Sequence, residues 1–474
     1  MDPRGYETVK GMVEGLKEEV LSWCGREFIC PDCGKLHRIP TKSFIMGEGV
    51  IERGLPAEVE ALVPKGRVTV VADKNTYEAA GRRVEMALRS GWDLDMVLLP
   101  EGPNGQVLPD EAALEMVEAV AGRGDIVIAV GSGTINDLTR FAADELGKPY
   151  IVVATAPSMN GYSSPISALL IKGIKRTLPA EPPIAIIADI DVLASSPRNM
   201  IRSGLADLSS KPVCNADWRI SSLLFQEYWC PLPERMISRA DEVVSRLAKE
   251  IGEGDKMGVG ALTCALVLSG MSMTVAGSSS PASGGEHLVS HFIDTMAHLG
   301  GRPLGLHGLQ VGVATISMAR LYERIIELKA GDIDIGKVEM GYMPLDILEE
   351  RIGEIYGPLK EEVMAEAVLK HLPWDKKRGQ LERLLDMWEE VVEGASKIVR
   401  PAEEIGEILK EAGAPTSYRE LGLSEDDFAK ALRWARYMRR RYTVLDLAYD
   451  IGILEDFIRS EVYEGRGGSW DAAE

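Results

Sequence analysis

An α/β half built on a parallel sheet, followed by an all-helical half, is the fold class this sequence predicts. Three observations carry it. Short Val- and Ile-rich runs alternate with amphipathic stretches from about residue 66 to 195, the strand signal then stops, and helical periodicity fills the remainder. The chain has 474 residues, 45% hydrophobic and 27% charged, which suits two or three globular domains with sizeable cores.

The elements follow in order. "RVTVVAD" (67–73) reads as a buried strand ending in Asp73, and "NTYEAAGRRVEMALRSG" as the helix after it. "DMVLLP" is a second strand, "DEAALEMVEAVAG" a helix, "GDIVIAV" (124–130) a third strand, "TINDLTRFAADELG" a helix, and "PYIVVATAP" a fourth strand. "PIAIIADIDVL" (183–193) closes the alternation, which is the signature of a Rossmann-like sheet covered on both faces. A hinge is expected near 194–200. The resulting division is an N-terminal extension over 1–40, an α/β nucleotide-binding domain over 41–195, and a helical domain over 196–474. "AGSSSPASGG" (276–285) is read as a turn feeding the helix beyond it.

Charge and cysteine content narrow the function. With 73 acidic and 53 basic residues the formal charge is −20, so nucleic acid is not an expected partner, because phosphate-backbone binding needs a basic surface. The N-terminus "MDPRGYETVKGMVEGLKEEV" is too charged for a signal peptide, and no membrane-spanning run is expected. Six scattered cysteines make no disulfide framework. A cytoplasmic protein is expected.

Two segments carry chemistry. "AVGSGTINDLTR" (129–140) puts Gly131 and Gly133 between a strand and a helix, where N–H groups can face a pyrophosphate. The motif departs from G-x-G-x-x-G, and a plain tight turn accounts for it equally well. Asp73, ending an earlier strand, suits a ribose 2′-OH and thereby NAD, or else a helix N-cap. The second segment, "GGEHLVSHFIDTMAHLGGRPLGLHG" (284–308), holds four of the six histidines. His287 and His291 are four apart on one helix face, and His307 opens another helix. Imidazole with a carboxylate suits a zinc-class metal with an open position. By spacing alone both His287 and His291 are ligands, and His298 is a neighbour.

Taken together, "VGSGTINDLTR", "TAPSMNGYSSP", "SGLADLSSK" and "EHLVSH…LHGLQVG" resemble the sn-glycerol-1-phosphate dehydrogenase branch of the iron-containing alcohol dehydrogenase, glycerol dehydrogenase and dehydroquinate synthase superfamily. The resemblance runs from about residue 38 to 325, and more loosely to "RYTVLDLAYDIGIL" (441–454). It implies a dehydroquinate synthase-like fold and a metal on Asp207, His287 and His307, moving His291 to the substrate pocket. Zinc is expected, with nickel the other candidate. It implies NAD(H) or NADP(H) held by Gly131, Ser132 and Gly133 at the pyrophosphate, with Thr134 and Asp137 following, Asp73 at the ribose, and Thr155 and Ser158 beside the nicotinamide. Lys211 would enter the same cleft and meet a substrate phosphate. Asn160 stands where relatives read Asp in "SMDG". The implied reaction is reduction of dihydroxyacetone phosphate to sn-glycerol 1-phosphate, with a proton through His291 or water, by a homodimer or larger homo-oligomer.

Other readings are a glycerol dehydrogenase, against which His291 counts, and a cyclase of the dehydroquinate synthase type, which usually has Glu where this chain has Asp207. A catalytically silent nucleotide-binding member rests on Asn160 alone. Outside these motifs, Cys24, Cys30, Cys33 and His37 fit either a zinc knuckle or a free-thiol turn. "KGIKRT", with Lys172, Lys175 and Arg176, reads as a solvated turn, and "RYMRRRY" (436–442) as the outer face of a helix. Cys214, Cys230 and Cys264 are expected to pack within helices.

Overall fold

The computed structural model describes residues 3–102 and 104–464. Its centre is a six-stranded sheet of β3 (Ser43–Gly47), β4 (Arg67–Asp73), β5 (Asp93–Leu99), β6 (Ile126–Gly131), β7 (Tyr150–Ala154) and β10 (Ala185–Asp189), after a small hairpin of β1 (Glu27–Ile29) and β2 (Leu36–Arg38). The spatial order is β3-β10-β7-β6-β4-β5, and every neighbouring pair is parallel. β6, β7 and β10 are buried throughout, so their unbroken apolar runs are those of strands covered on both faces.

Strand order fixes where a ligand can enter. From β4 the chain moves outward to β5, then returns to β6 on the other side and continues to β7 and β10. The order therefore reverses between β4 and β6, and ligands of open α/β sheets bind at the carboxyl ends flanking such a reversal. Val71 pairs with Ala129, so Asp73 and Gly131, two residues further on, end side by side at this crevice.

Some elements differ from the sequence reading. β3 was not expected, because "SFIMG" is only half-buried and too short to show a pattern. The 183–193 run divides: β10 ends at Asp189, whose carboxylate accepts from the Asp191 N–H and starts a helix, Ile190–Ser195. β8 (Ile166–Ile171) and β9 (Ile174–Pro179) form a hairpin turning on Lys172 and Gly173, with φ of 52° and 79°. Two positive φ values make the tight turn that hairpins favour. Only Lys172 is the solvated residue expected of "KGIKRT". Arg176 pairs with Glu362, and Lys175 lies inward against Asp294.

Beyond Asp189 the described residues form helices without further strands. The centre of this half is Lys256–Ala276, buried on nearly every side. It is uncharged beyond Lys256 and has mean hydropathy 1.8, which corrects the expectation that no run is long and apolar enough to span a bilayer; yet 94% of its apolar window is buried inside the protein. A helix apolar all round belongs to a core. The N-terminal helix, Pro3–Trp23, and the helix Leu232–Arg246 pack against it.

Candidate active site

Four helices bring the histidines to Asp207. The helix Arg198–Leu208 carries Asp207, Lys211–Phe225 follows it, Gly285–Leu299 carries His287 and His291, and His307–Glu327 starts at its own histidine. The first and last approach closely because small residues face each other. A Cβ on Gly308 would lie 1.9 Å from the Ser203 carbonyl oxygen, and one on Gly312 would lie 2.8 Å from Ala206 Cβ. Asp207 Oδ1 is 3.5 Å from His287 Nε2, and the rings of His287 and His307 are 5.1 Å apart. His291 stacks on His307 at 5.6 Å, and it is His287 that meets Asp207. His298 lies near the Gly173 turn, outside this group.

Hydrogen bonds select the tautomers. His287 Nδ1 lies 2.5 Å from Glu286 Oε1, which also accepts from the Cys214 thiol and the Gly284 N–H. At His307 a directed chain does the same. Lys175 Nζ donates to Asp294 Oδ2 at 3.0 Å, and Gln310 Nε2 donates to Asp294 Oδ1 at 3.1 Å. Gln310 Oε1 is then the acceptor for the Ser290 hydroxyl at 2.7 Å. With its single proton used there, Ser290 Oγ accepts from His307 Nδ1–H at 2.9 Å. Both histidines are thereby left with Nε2 as a lone-pair donor.

Electrostatics agree. Burial alone would raise the pKa of Asp207, but Lys211, then His287, hold it well below the ordinary carboxylate value. Burial, followed by Lys175 and His287, lowers His307, and burial, followed by Arg439 and Lys175, lowers His291. One carboxylate and two imidazoles backed by Glu286 and Ser290, each with Nε2 turned toward Asp207 or free of the backing bond, are a donor set that fits a zinc-class metal. Burial, then Glu286, raises the pKa of the Cys214 thiol, which donates to Glu286 Oε1 at 2.9 Å. His291 Nδ1 is buried with no hydrogen-bond partner among the described residues.

Lys211 lies directly behind Asp207. Its ammonium donates to Asp207 Oδ1 at 2.9 Å, Ser210 Oγ at 3.2 Å and the Ala282 carbonyl at 3.3 Å. All three protons are used in this arrangement, which holds Asp207.

The loop after β7 joins this cluster to the sheet. Thr155 N–H donates to Gly131 O, the Ser158 carbonyl accepts from Ser203 Oγ, and Asn160 N–H donates to Asp207 Oδ2 at 3.1 Å. The Asn160 side chain turns to Ser269 Oγ. The helix Gly133–Glu145 starts beside the loop, and Ser132 makes no side-chain cap there. A Cβ on Gly133 would meet only Met159 Cγ, at 3.8 Å, whereas one on Gly131 would fall 2.4 Å from Ile135 Cβ. Gly131 is therefore required by packing. Gly133 faces clearance at a helix N-terminus, with Thr134 next in the first turn, which fits a dinucleotide pyrophosphate.

Asp73 is the N-cap it could have been, accepting from Thr76 N–H in a reciprocal capping box, and its other oxygen keeps no partner among the described residues. Asp137 accepts from Ala168 N–H at 3.2 Å and lies 3.6 Å from Arg140. Its carboxyl thus ties β8 to the helix Gly133–Glu145.

"RYMRRRY" is not an outer helix face. Arg436 is buried against Asp446 at 2.9 Å, and Arg441 donates to Ser279 Oγ and to the Ser283 carbonyl. Arg439 keeps a buried Nη2 with no acceptor among the described residues. Sequence reasoning missed Arg439 together with Glu286, Ser290, Asp294 and Gln310. Only their spacing along the histidine helices hinted at the last four.

A family model described as iron-containing alcohol dehydrogenase matches residues 46–197. Among solved structures, a probable glycerol dehydrogenase from Sinorhizobium meliloti superposes with a TM-score of 0.57 at 16% identity, over 89% of this chain and 98% of that one. An alcohol dehydrogenase from an archaeal halo-thermophile of a Red Sea brine pool gives 0.58 at 15% identity, over 90% and 98%. The fold is therefore that of the iron-containing alcohol dehydrogenase and dehydroquinate synthase class. Curated relatives are more specific. The glycerol-1-phosphate dehydrogenase [NAD(P)+] of Bacillus licheniformis is 31% identical over 92% of this chain and 96% of its own. That of Pyrococcus furiosus is 34% identical over 59% and 78%. This chain belongs to the glycerol-1-phosphate dehydrogenase family.

Proposed function

We propose that this protein reduces dihydroxyacetone phosphate to sn-glycerol 1-phosphate with NADH or NADPH, using a zinc-class metal on Asp207, His287 and His307. The observation that carries the reading is the convergence of these three residues, with tautomers fixed from behind, on the loop beside the crevice at the sheet's carboxyl edge, in a chain aligned nearly end to end with the Bacillus licheniformis relative. When bound, the metal supplies Lewis-acid polarisation of the ketone and the nicotinamide supplies hydride.

The chain's own residues do the rest. Asn160 and Lys211 hold the Asp207 carboxylate from two sides. His291 offers an unpartnered Nδ1 for proton delivery to the nascent alcohol. Arg439, with its free Nη2 and its charge felt at His291, is our choice for the substrate phosphate. None of the six cysteines is in a disulfide, in keeping with the reducing cytoplasm where we place the protein. A homodimer or larger assembly goes with the family resemblance.

The test is oxidation of NADH and NADPH by dihydroxyacetone phosphate on zinc- and nickel-loaded protein, with Asp207→Ala and Arg439→Met alongside. Turnover abolished in Asp207→Ala, with KM for the phosphorylated ketone raised in Arg439→Met, supports the reading. Absence of turnover in fully loaded wild-type protein overturns it.

A further inference from the structure

A second group of metal-ligating side chains lies outside the site just described. Cys30, Cys33, His37 and Cys230 each offer one ligand atom, and the four atoms lie within 4.8 Å of one another. Three come from the N-terminal hairpin. In "CPDCGKLH" Gly34 adopts φ +71°, its N–H donates to the Cys30 carbonyl at 2.9 Å, and the Cys30 N–H donates to the Lys35 carbonyl at 2.8 Å. That turn presents both sulfurs to one side, with His37 next on β2. The fourth ligand arrives 200 residues later, from the segment joining the helices Lys211–Phe225 and Leu232–Arg246.

Cys24 takes no part, which corrects the ligand set read from the sequence. Its thiol donates to the Val20 carbonyl on its own helix, and burial pushes it up to about 11. Cys230 lies in an irregular segment rather than in a helix.

The spacing distinguishes a metal site from a disulfide. Cys30 and Cys230 sulfurs are 3.7 Å apart, whereas a disulfide needs about 2.05 Å. Tetrahedral zinc, with Zn–S of about 2.3 Å and Zn–N of about 2.05 Å, requires ligand separations of about 3.8 Å for S···S and about 3.6 Å for S···N. Cys33 Sγ to His37 Nε2 is 3.3 Å, close to the second figure. The surroundings suit thiolates bound to a dication. Tyr228 hydroxyl is 3.3 Å from Cys33 Sγ, Lys35 Nζ lies 3.5 Å over the Tyr228 ring, and Arg235 pairs with Asp32 inside the C-P-D-C turn.

We propose that Cys30, Cys33, His37 and Cys230 bind one structural zinc ion, separate from the active-site metal. Four protein ligands leave no open position, so the ion does no catalysis. It clips the N-terminal segment leading into β3 to the segment between two helices of the other half, a joint that otherwise rests on packing, on the Arg235–Asp32 pair and on the contacts of Tyr228 with Cys33 and Lys35.

The test combines metal analysis with cobalt substitution on the full chain. Asp207→Ala, deprived of its active-site metal, is expected to retain one zinc per chain after dialysis against a chelator, and to lose it when Cys230→Ser or His37→Ala is added. Cobalt(II)-loaded wild-type protein is expected to show thiolate-to-cobalt charge transfer and tetrahedral d–d bands, unchanged in Cys214→Ser, which removes the sulfur beside Glu286 and His287. Cys24→Ser is expected to leave both signals unchanged. The proposal is overturned if Asp207→Ala holds no zinc, if cobalt gives no thiolate band, if Cys24→Ser rather than Cys230→Ser removes the metal, or if peptide mapping finds Cys30 and Cys230 covalently joined.

Discussion

Gly308→Ala tests how the active site is held together. A Cβ at this position would sit 1.9 Å from the Ser203 carbonyl oxygen, where ordinary contact begins at 3.4 Å. Relief of that overlap needs the helices Arg198–Leu208 and His307–Glu327 to part locally by about 1.5 Å, since the obstacle is backbone, at a stability cost of about 1–3 kcal/mol. Asp207 lies one turn beyond Ser203 on one helix and His307 immediately precedes Gly308 on the other. The separation therefore falls between two ligands of one metal, whose bond lengths tolerate about ±0.2 Å. Misplacement of about 1 Å costs about 100-fold in rate. The expected outcome is a folded protein that binds metal weakly and whose kcat/KM for dihydroxyacetone phosphate falls by about 100-fold or more. Metal content, circular dichroism and steady-state kinetics measure this, with Gly379→Ala as control, because a Cβ there meets nothing within 4 Å. Wild-type metal content and kcat/KM in Gly308→Ala would refute the idea that close helix approach sets the ligand geometry.

Ser290→Ala removes the acceptor that fixes His307, and metal affinity is expected to fall about 10- to 100-fold with little change in melting temperature, read by competition with a chromogenic chelator. Gly133→Ala is expected to fold normally but weaken NADH binding in a fluorescence titration, whereas Gly131→Ala, which would strike Ile135, is expected to lower stability first. Burial raises the Asp137 carboxyl from its ordinary 3.8 to about 6 despite Arg140. The native state then binds that proton more tightly than the unfolded chain, so stability from this group falls as pH rises between those values, by up to about 3 kcal/mol. Urea unfolding of Asp137→Asn at about pH 4 and about pH 6.5 should show that part of the slope removed.

What could be read from the sequence was what is local or periodic. β4, β6 and β7 announced themselves because strands buried on both faces are continuous apolar runs, and the edge strand β5 showed through its short apolar run at 96–99. Asp207, His287 and His307 were named together only through motif resemblance, whereas spacing alone paired His287 with His291. The β8–β9 hairpin was hidden because its turn uses Lys172 at positive φ in place of the usual Asn or Gly. The arginines of "RYMRRRY" looked solvated because their partners Asp446, Ser279 and Ser283 come together only in the folded chain. Cys230 was unreadable as a ligand for the same reason, with its neighbours 200 residues away. The Lys175–Asp294–Gln310–Ser290–His307 chain spans a strand and two helices, and no single segment displays it.

The buried rod Lys256–Ala276 makes the order of events during synthesis matter. Its 20 residues after Lys256 carry no charge, so while the growing chain is unfolded this stretch is a strong candidate for capture by a bilayer or by another unfinished copy. Its Gly, Ser and Thr residues weaken the first hazard, since they make it less apolar than a run of Leu and Val. Against the second, two of its covering helices, Pro3–Trp23 and Leu232–Arg246, leave the ribosome before it does. The chain thus makes much of the sheath before the blade, and an N-terminally truncated version should aggregate while it is still being translated.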